Sequence, residues 1–279
     1  MGEGGFEPPK AEPLRLQRSP VDRLGTPPGT KRDSRPARDS VRSVSELDGR
    51  AIAIAGAGGG LGPTVAQRLA DAGANLALAD RTQEHADAVK EQLGLTDDRV
   101  DARAVDLLDE KAANGWAVAV AERFGRVDGL LHLVGGYRGG DPIESFDLAD
   151  WDLLHNLLIR TVQLATRAFH GSLTASGHGR FVLVSAAAAQ NPEATNAAYA
   201  SAKAAAEAWT LSLADSFKGS GATANMIVVN AIETPAMREE SPDEERPSFT
   251  PVEHIAEAIA FLCSDAGGRM NGQRLELHP

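Results

Sequence analysis

The stretch AIAIAGAGGGLGPTVAQRLADAGANLALAD, residues 51–80, decides the fold. AIAIAGA (51–57) is a short apolar run that enters a glycine-rich turn. Pro63 opens a helical stretch over 63–72, Gly73 stops it, and NLALAD (75–80) is a second apolar run ending in an acid. Strand, turn, helix and strand make one βαβ unit, and the alternation continues. A helix runs to about Leu93, VDARAVD (100–106) is a strand, and 109–124 is a helix. GLLHLVGG (129–136), a long helix over 148–170, FVLVSA (181–186) and a helix over 196–218 follow. ATANMIVVN (222–230), a helix over 251–264 and QRLELH (273–278) close the series. Strands that are apolar throughout, rather than at every second residue, predict a parallel sheet covered by helices on both faces.

The turn AGAGGGLG (55–62) joins the first strand to the first helix. Gly56, Gly60 and Gly62 are spaced G-x-x-x-G-x-G, a variant of the dinucleotide fingerprint. Glycines there allow a tight turn and close approach of backbone to a pyrophosphate. The helix N-terminus adds N–H donors and the positive end of its dipole. Asp80, eighteen residues beyond Gly62, stands where a carboxylate can accept hydrogen bonds from both adenosine ribose hydroxyls. It would repel a 2′-phosphate, which favours NAD, while Arg81 beside it keeps NADP open. Asp106, with Leu107 next to it, can touch the adenine edge or cap a helix.

Composition limits the remaining possibilities. A chain of 279 residues with 42% apolar and only 5% aromatic content predicts a core of Ala, Val, Leu and Ile. One cysteine, Cys263, excludes a disulfide framework and a Cys-rich zinc site. No apolar run reaches the roughly 20 residues that span a bilayer, and no secretory h-region opens the chain. A cytoplasmic protein with no membrane partner is expected. Residues 1–43 hold nine Lys/Arg against six Asp/Glu, a balance of +3, so with a net charge of −11 the rest of the chain carries −14. So acidic a body argues against nucleic-acid binding. The same 43 residues carry seven of the fifteen prolines and almost no apolar periodicity, so they are expected to be a disordered or spurious extension. Residues 44–279 are expected to form one domain.

Tyr199 and Lys203 lie four residues apart and share a helix face. A phenol with its usual pKa near 10 is a poor proton shuttle at neutral pH, and an adjacent ammonium is expected to lower it. Lys203 can also bond the nicotinamide ribose.

With these residues in place the chain resembles the short-chain dehydrogenase/reductase family in its single-domain form, from about Val44 to the C-terminus. The resemblance rests on AGAGGGLG, HLVGG (132–136), AYASAK (198–203) and the tail SDAGGRMNGQRLELHP (264–279). It implies a Rossmann-type doubly wound, seven-stranded parallel sheet, a nicotinamide cofactor, and hydride transfer between an alcohol and a carbonyl. Homodimers or homotetramers are implied too. Carried onto matching positions, the implied cofactor contacts are Gly56, Gly60, Leu61, Gly62, Asp80, Arg81, Asp106, Leu107, Val134, Gly135, Lys203 and Thr234. Tyr199 and Lys203 are the implied catalytic pair, and no metal is implied.

The match is incomplete. The family's catalytic serine falls on Ala186; Ser185 is its neighbour, and adjacent strand residues face opposite sides. The family's asparagine falls on Leu158, with Asn156 two residues away and roughly on the other side of the helix. The asparagines of the fourth-strand motif become His132 and Leu133, and the Pro-Gly after the sixth strand becomes Val229 and Asn230. Losing one hydroxyl donor to a developing oxyanion costs about 100- to 1000-fold in rate. A polarising group on the substrate, or a donor from Tyr137 or Asn191, can make good that loss. Two readings follow: an NAD(P)-dependent oxidoreductase of small alcohols or carbonyls, or a nucleotide-binding protein of the same fold that acts by binding. His132, His155 and His170 read as structural histidines, Trp116 and Trp151 as packing residues, and 233–251 as a substrate lid or a plain solvated loop.

Overall fold

The computed structural model describes residues 46–278; the readings made for 1–43 lie outside them. β1 (Ala51–Ala55), α1 (Gly62–Asp71), β2 (Asn75–Asp80), α2 (Gln83–Leu93) and β3 (Val100–Ala104) form the first half of the fold with α3 (Glu110–Phe124). The second half runs through β4 (Gly129–His132), α4 (Leu148–His155), α5 (Thr161–Ala175), β5 (Arg180–Ala186), α6 (Ala197–Ser216) and β6 (Thr223–Val229). Then come β7 (Ala231–Glu233), α7 (Pro235–Glu240), β8 (Phe249–Pro251), α8 (Val252–Cys263) and β9 (Arg274–Glu276). The main sheet has the order β3-β2-β1-β4-β5-β6-β9, and every neighbouring pair in it is parallel. This is the expected doubly wound, seven-stranded sheet.

Each side of β1 packs a different layer. Ile52 and Ile54 join Val65, Leu69, Ile255 and Ile259 in a core beneath α1 and α8. Ala53 and Ala55 face the other way, and their small side chains leave room for Trp116 of α3 and Phe169 of α5. Those two rings meet edge to face at 4.8 Å between centroids, so Trp116 is a packing residue, as expected. The far end of the sheet is tied by buried Asp128. It accepts hydrogen bonds from the Ala51 amide (3.0 Å), both arms of Arg126 (2.5 and 2.7 Å) and the Ser176 hydroxyl (2.6 Å).

Three expectations change. The stretches read as strands at 100–106 and 129–136 are longer than β3 and β4, which end at Ala104 and His132. The expected helix over 148–170 is broken by a π turn, Asn156–Arg160, between α4 and α5. The 233–251 segment is more than a solvated loop. Its ends pair as the parallel strands β7 and β8, and Arg238 bonds both Glu233 (3.2 Å) and Glu253 (2.5 Å). Arg246, 6% exposed, lies 3.8 Å from Glu233. Elements of three to six residues carry too few positions for a periodic signal, which is why the sequence did not show them.

Candidate active site

Strand order reverses between β1 and β4, and a cleft opens there at the carboxyl ends of the strands. It measures about 1050 Å³ and is walled by residues from the turn after β1, the ends of β2 through β6, and the β7–β8 segment. Of the positions expected to hold cofactor, Gly56, Gly60, Leu61, Asp80, Arg81, Asp106, Leu107, Val134, Gly135, Lys203 and Thr234 line it, and Gly62 alone does not.

Gly62 lies beneath the wall, where a Cβ would sit 2.0 Å from the Ala57 carbonyl oxygen. Any side chain would force the turn apart. Gly56 has φ +80, a conformation that favours glycine, and its Cβ would meet the Val134 backbone at 2.9 Å. α1 begins without a side-chain cap and without an acid in its first turn; its Gly62 and Val65 amides donate to the Gly59 and Leu61 carbonyls, so the helix offers an anion chiefly the positive end of its dipole. The Asp80 carboxylate accepts from the amides of Gly58 (2.9 Å) and Arg81 (2.8 Å), which aims it across the turn and leaves lone pairs for further donors. These features fit the diphosphate and ribose of a dinucleotide. Asp106 accepts from the Leu108 amide (2.9 Å), while the cap of α3 is Asp109, so the helix-capping alternative for Asp106 does not hold. Thr234 caps α7 through the Met237 amide (3.3 Å) and lies over Gly60.

At the other end, Tyr199 and Lys203 come together on α6. The Lys203 Nζ donates to the Val184 carbonyl (2.9 Å) and lies 5.8 Å from the centre of the Tyr199 ring. The expectation that Lys203 lowers the phenol is not met in the free protein. Burial first, and the neighbouring Tyr137 phenol second, push Tyr199 up to about 12. Burial also pushes Lys203 down to about 8, against an upward pull from Glu207. In so dry a pocket, desolvation of each charged form outweighs the attraction between them.

Glu207, one helical turn beyond Lys203, escaped notice in the sequence. It is 3% exposed, accepts from the Ser185 hydroxyl (2.6 Å) and Gln190 (3.1 Å), and pairs with Arg274 at 3.0 Å. Its spacing, four after Lys203 and eight after Tyr199, was the available signal. Ser185 belongs to the cleft wall, but its hydroxyl is turned to Glu207; Ala186 is buried, extended and off the wall. The asparagine position is also rearranged. Leu158 is packed with Leu154, Ile159, Ala198 and Ala202, away from the cleft. Asn156, which regular helical spacing placed on the other side, lines the cleft with Leu157 and Thr161. The two residues do face different sides of the helix, as a spacing of two predicts, but it is Asn156, at the start of the π turn, and not Leu158 that faces the cleft.

His132 is buried at the end of β4. Thr161 donates its hydroxyl to the Leu157 carbonyl (2.7 Å), so it accepts from His132 Nε2–H at 3.1 Å. Burial first, then the charge of Lys203, push His132 down to about 3, and it is neutral. His170 bonds Ser216 (3.1 Å) and stacks on Phe217. Among the described residues no group of His, Cys, Asp or Glu has the arrangement of a metal site, and no helix is long and apolar enough to cross a membrane.

A glycine turn at one end of a switch-point cleft and a Tyr/Lys pair at the other define a dinucleotide-dependent redox site. The model of the short chain dehydrogenase family matches residues 50–245, and the chain belongs to that family. It is similar to levodione reductase of Leifsonia aquatica, 30% identical over 240 residues that cover 80% of this chain and 90% of that one. It is also similar to 7alpha-hydroxysteroid dehydrogenase of Escherichia coli K12, at 28% over 238 residues, 82% of this chain and 92% of that one. The crystal structure of levodione reductase superposes with a TM-score of 0.73 at 28% identity, covering 83% of this chain and 97% of the other. A glucose/ribitol-type short-chain dehydrogenase from Brucella melitensis gives 0.73 at 26%, over 83% and 96%. The chain is therefore an NAD(P)-dependent oxidoreductase of alcohol and carbonyl substrates.

Proposed function

We propose that the protein is an NAD-dependent reductase of small, uncharged ketones or aldehydes, with residues 44–279 as its single catalytic domain. One observation carries the reading: Tyr199 and Lys203 stand on the wall of the same cleft that the glycine turn and Asp80 enter from the other end. When bound, the nicotinamide supplies the hydride. Tyr199 gives its hydroxyl proton to the carbonyl oxygen, and a phenol raised to about 12 is held in that proton-donating form. Lys203 fixes the ribose and supplies positive charge beside the phenol. Asp80, bonded to the turn through Gly58, supports NAD over NADP because a 2′-phosphate would meet its carboxylate. The substrate end is walled by Tyr137, Leu153, Leu157, Ile232 and Phe249 and supports an apolar substrate body.

The test is titration with NADH and NADPH, followed by a panel of cyclic and linear ketones. Expected are tighter binding of NADH and turnover that Tyr199→Phe abolishes with NADH affinity unchanged. Equal turnover in Tyr199→Phe would remove the phenol from its role, and tighter NADPH binding would reverse the reading of Asp80.

A further inference from the structure

The chain has only two tyrosines, and they meet. The rings of Tyr137 and Tyr199 pack edge to face with centroids 5.0 Å apart. Tyr137 follows β4 on the segment that borders the substrate end of the cleft, lines that cleft, and remains 54% exposed. That hydroxyl has no hydrogen-bond partner among the described residues. It occupies the space that a side chain at Gly139 would need, 2.5 Å from the Cβ position. The loop beneath it is fixed by the Gly140 amide, which donates to the Thr195 carbonyl (2.8 Å) just ahead of α6. Tyr137 is thus held against the acid by a backbone tie between its own loop and the start of the helix that carries Tyr199.

The usual donor at such a site is missing, since Ala186 has no hydroxyl and Ser185 spends its own on Glu207. Asn191 is exposed and off the cleft wall, and Asn156 lies on the wall with no hydrogen bond to Tyr199. We infer that Tyr137 is the second hydrogen-bond donor of this active site, its hydroxyl bonding the substrate oxygen to which Tyr199 gives its proton. The inference rests on the reductase reading above. No bond is made or broken at Tyr137. Its O–H points at the oxygen as negative charge develops there, so it stabilises the transition state more than the ground state.

Tyr137→Phe keeps the ring contact and removes only the hydroxyl. With a ketone that the wild type reduces, the expected result is a fall of about 100-fold in kcat, with NADH affinity by fluorescence and melting temperature unchanged. Gly139→Ala, which displaces the hydroxyl, lowers kcat in the same direction, and Asn191→Ala leaves it unchanged. A kcat within threefold of wild type in Tyr137→Phe overturns the inference and leaves the reductase reading standing. So does a loss confined to KM, which marks a packing role. A wild type that binds NADH but reduces no carbonyl sinks the reductase reading, and this inference with it.

Discussion

Replacing Lys203 by Met tests whether the site is held at the expense of the fold. Lys203 is 7% exposed, and burial lowers it from 10.5 to about 8. At about 1.36 kcal/mol for each tenfold loss of proton affinity, keeping the ammonium charged at neutral pH costs the folded state about 3 kcal/mol. Methionine fills similar space without the charge. It leaves the Val184 carbonyl without its 2.9 Å donor, a loss of about 1 kcal/mol. Glu207 keeps Ser185, Gln190 and Arg274. The variant should therefore be more stable by about 2 kcal/mol at pH 7, or roughly 4–8 °C in melting temperature, while losing turnover. The pH dependence has a definite sign. The folded pKa lies below the unfolded one, so between pH 8 and 10.5 the unfolded chain binds more protons, and wild-type stability gains on the variant as pH rises. Urea denaturation of both proteins from pH 7 to 10.5 should show a gap that is full below pH 8 and closes above it. A variant less stable than wild type at pH 7, or a gap that does not narrow, would refute the reasoning.

Ala186→Ser should change kcat by less than about threefold, because position 186 is off the cleft wall; a gain approaching 100-fold would show that a serine there reaches the substrate. Glu207→Gln removes the one neighbouring charge that raises Lys203, so the alkaline limb of the kcat/KM profile should move to lower pH. An unmoved limb would separate Glu207 from the site. Asp128→Asn should destabilise the fold by about 2 kcal/mol at neutral pH, since three partners lose a charged acceptor. Burial works to raise Asp128, but its Arg126, Ser176 and Ala51 hydrogen bonds hold it below the usual carboxylate value. Its contribution is therefore present above about pH 4 and lost as pH falls through the folded pKa. Chemical denaturation at pH 7 and pH 3 reads both effects.

The sheet was legible because β1, β2, β5 and β6 carry apolar residues on both faces instead of at every second position, and burial on both faces leaves that mark in sequence. The glycine turn was legible because Gly62 admits no Cβ at all. Tyr199 and Lys203 were legible because a helix converts a spacing of four into one face. Asn156 was not, since a spacing of two sets it opposite Leu158 without saying which of the two faces the cleft. Ser185 was ambiguous for a different reason: its partner Glu207 lies 22 residues away, and only the packing of α6 on β5 joins them. The phenol's basicity went the other way from the sequence estimate because proximity to a cation is visible in spacing, whereas dryness of the pocket is a property of the whole fold.

Hydride transfer to a carbonyl, with Tyr199 as the proton donor, ties the two ends of the cleft together. Its most direct test is a single turnover with NADH deuterated at the transferring carbon, with the product read by mass spectrometry. Wild type is expected to leave one deuterium on the former carbonyl carbon and Tyr199→Phe none, although both bind the cofactor. Unlabelled product from wild type, or equal labelling in the two proteins, would contradict it.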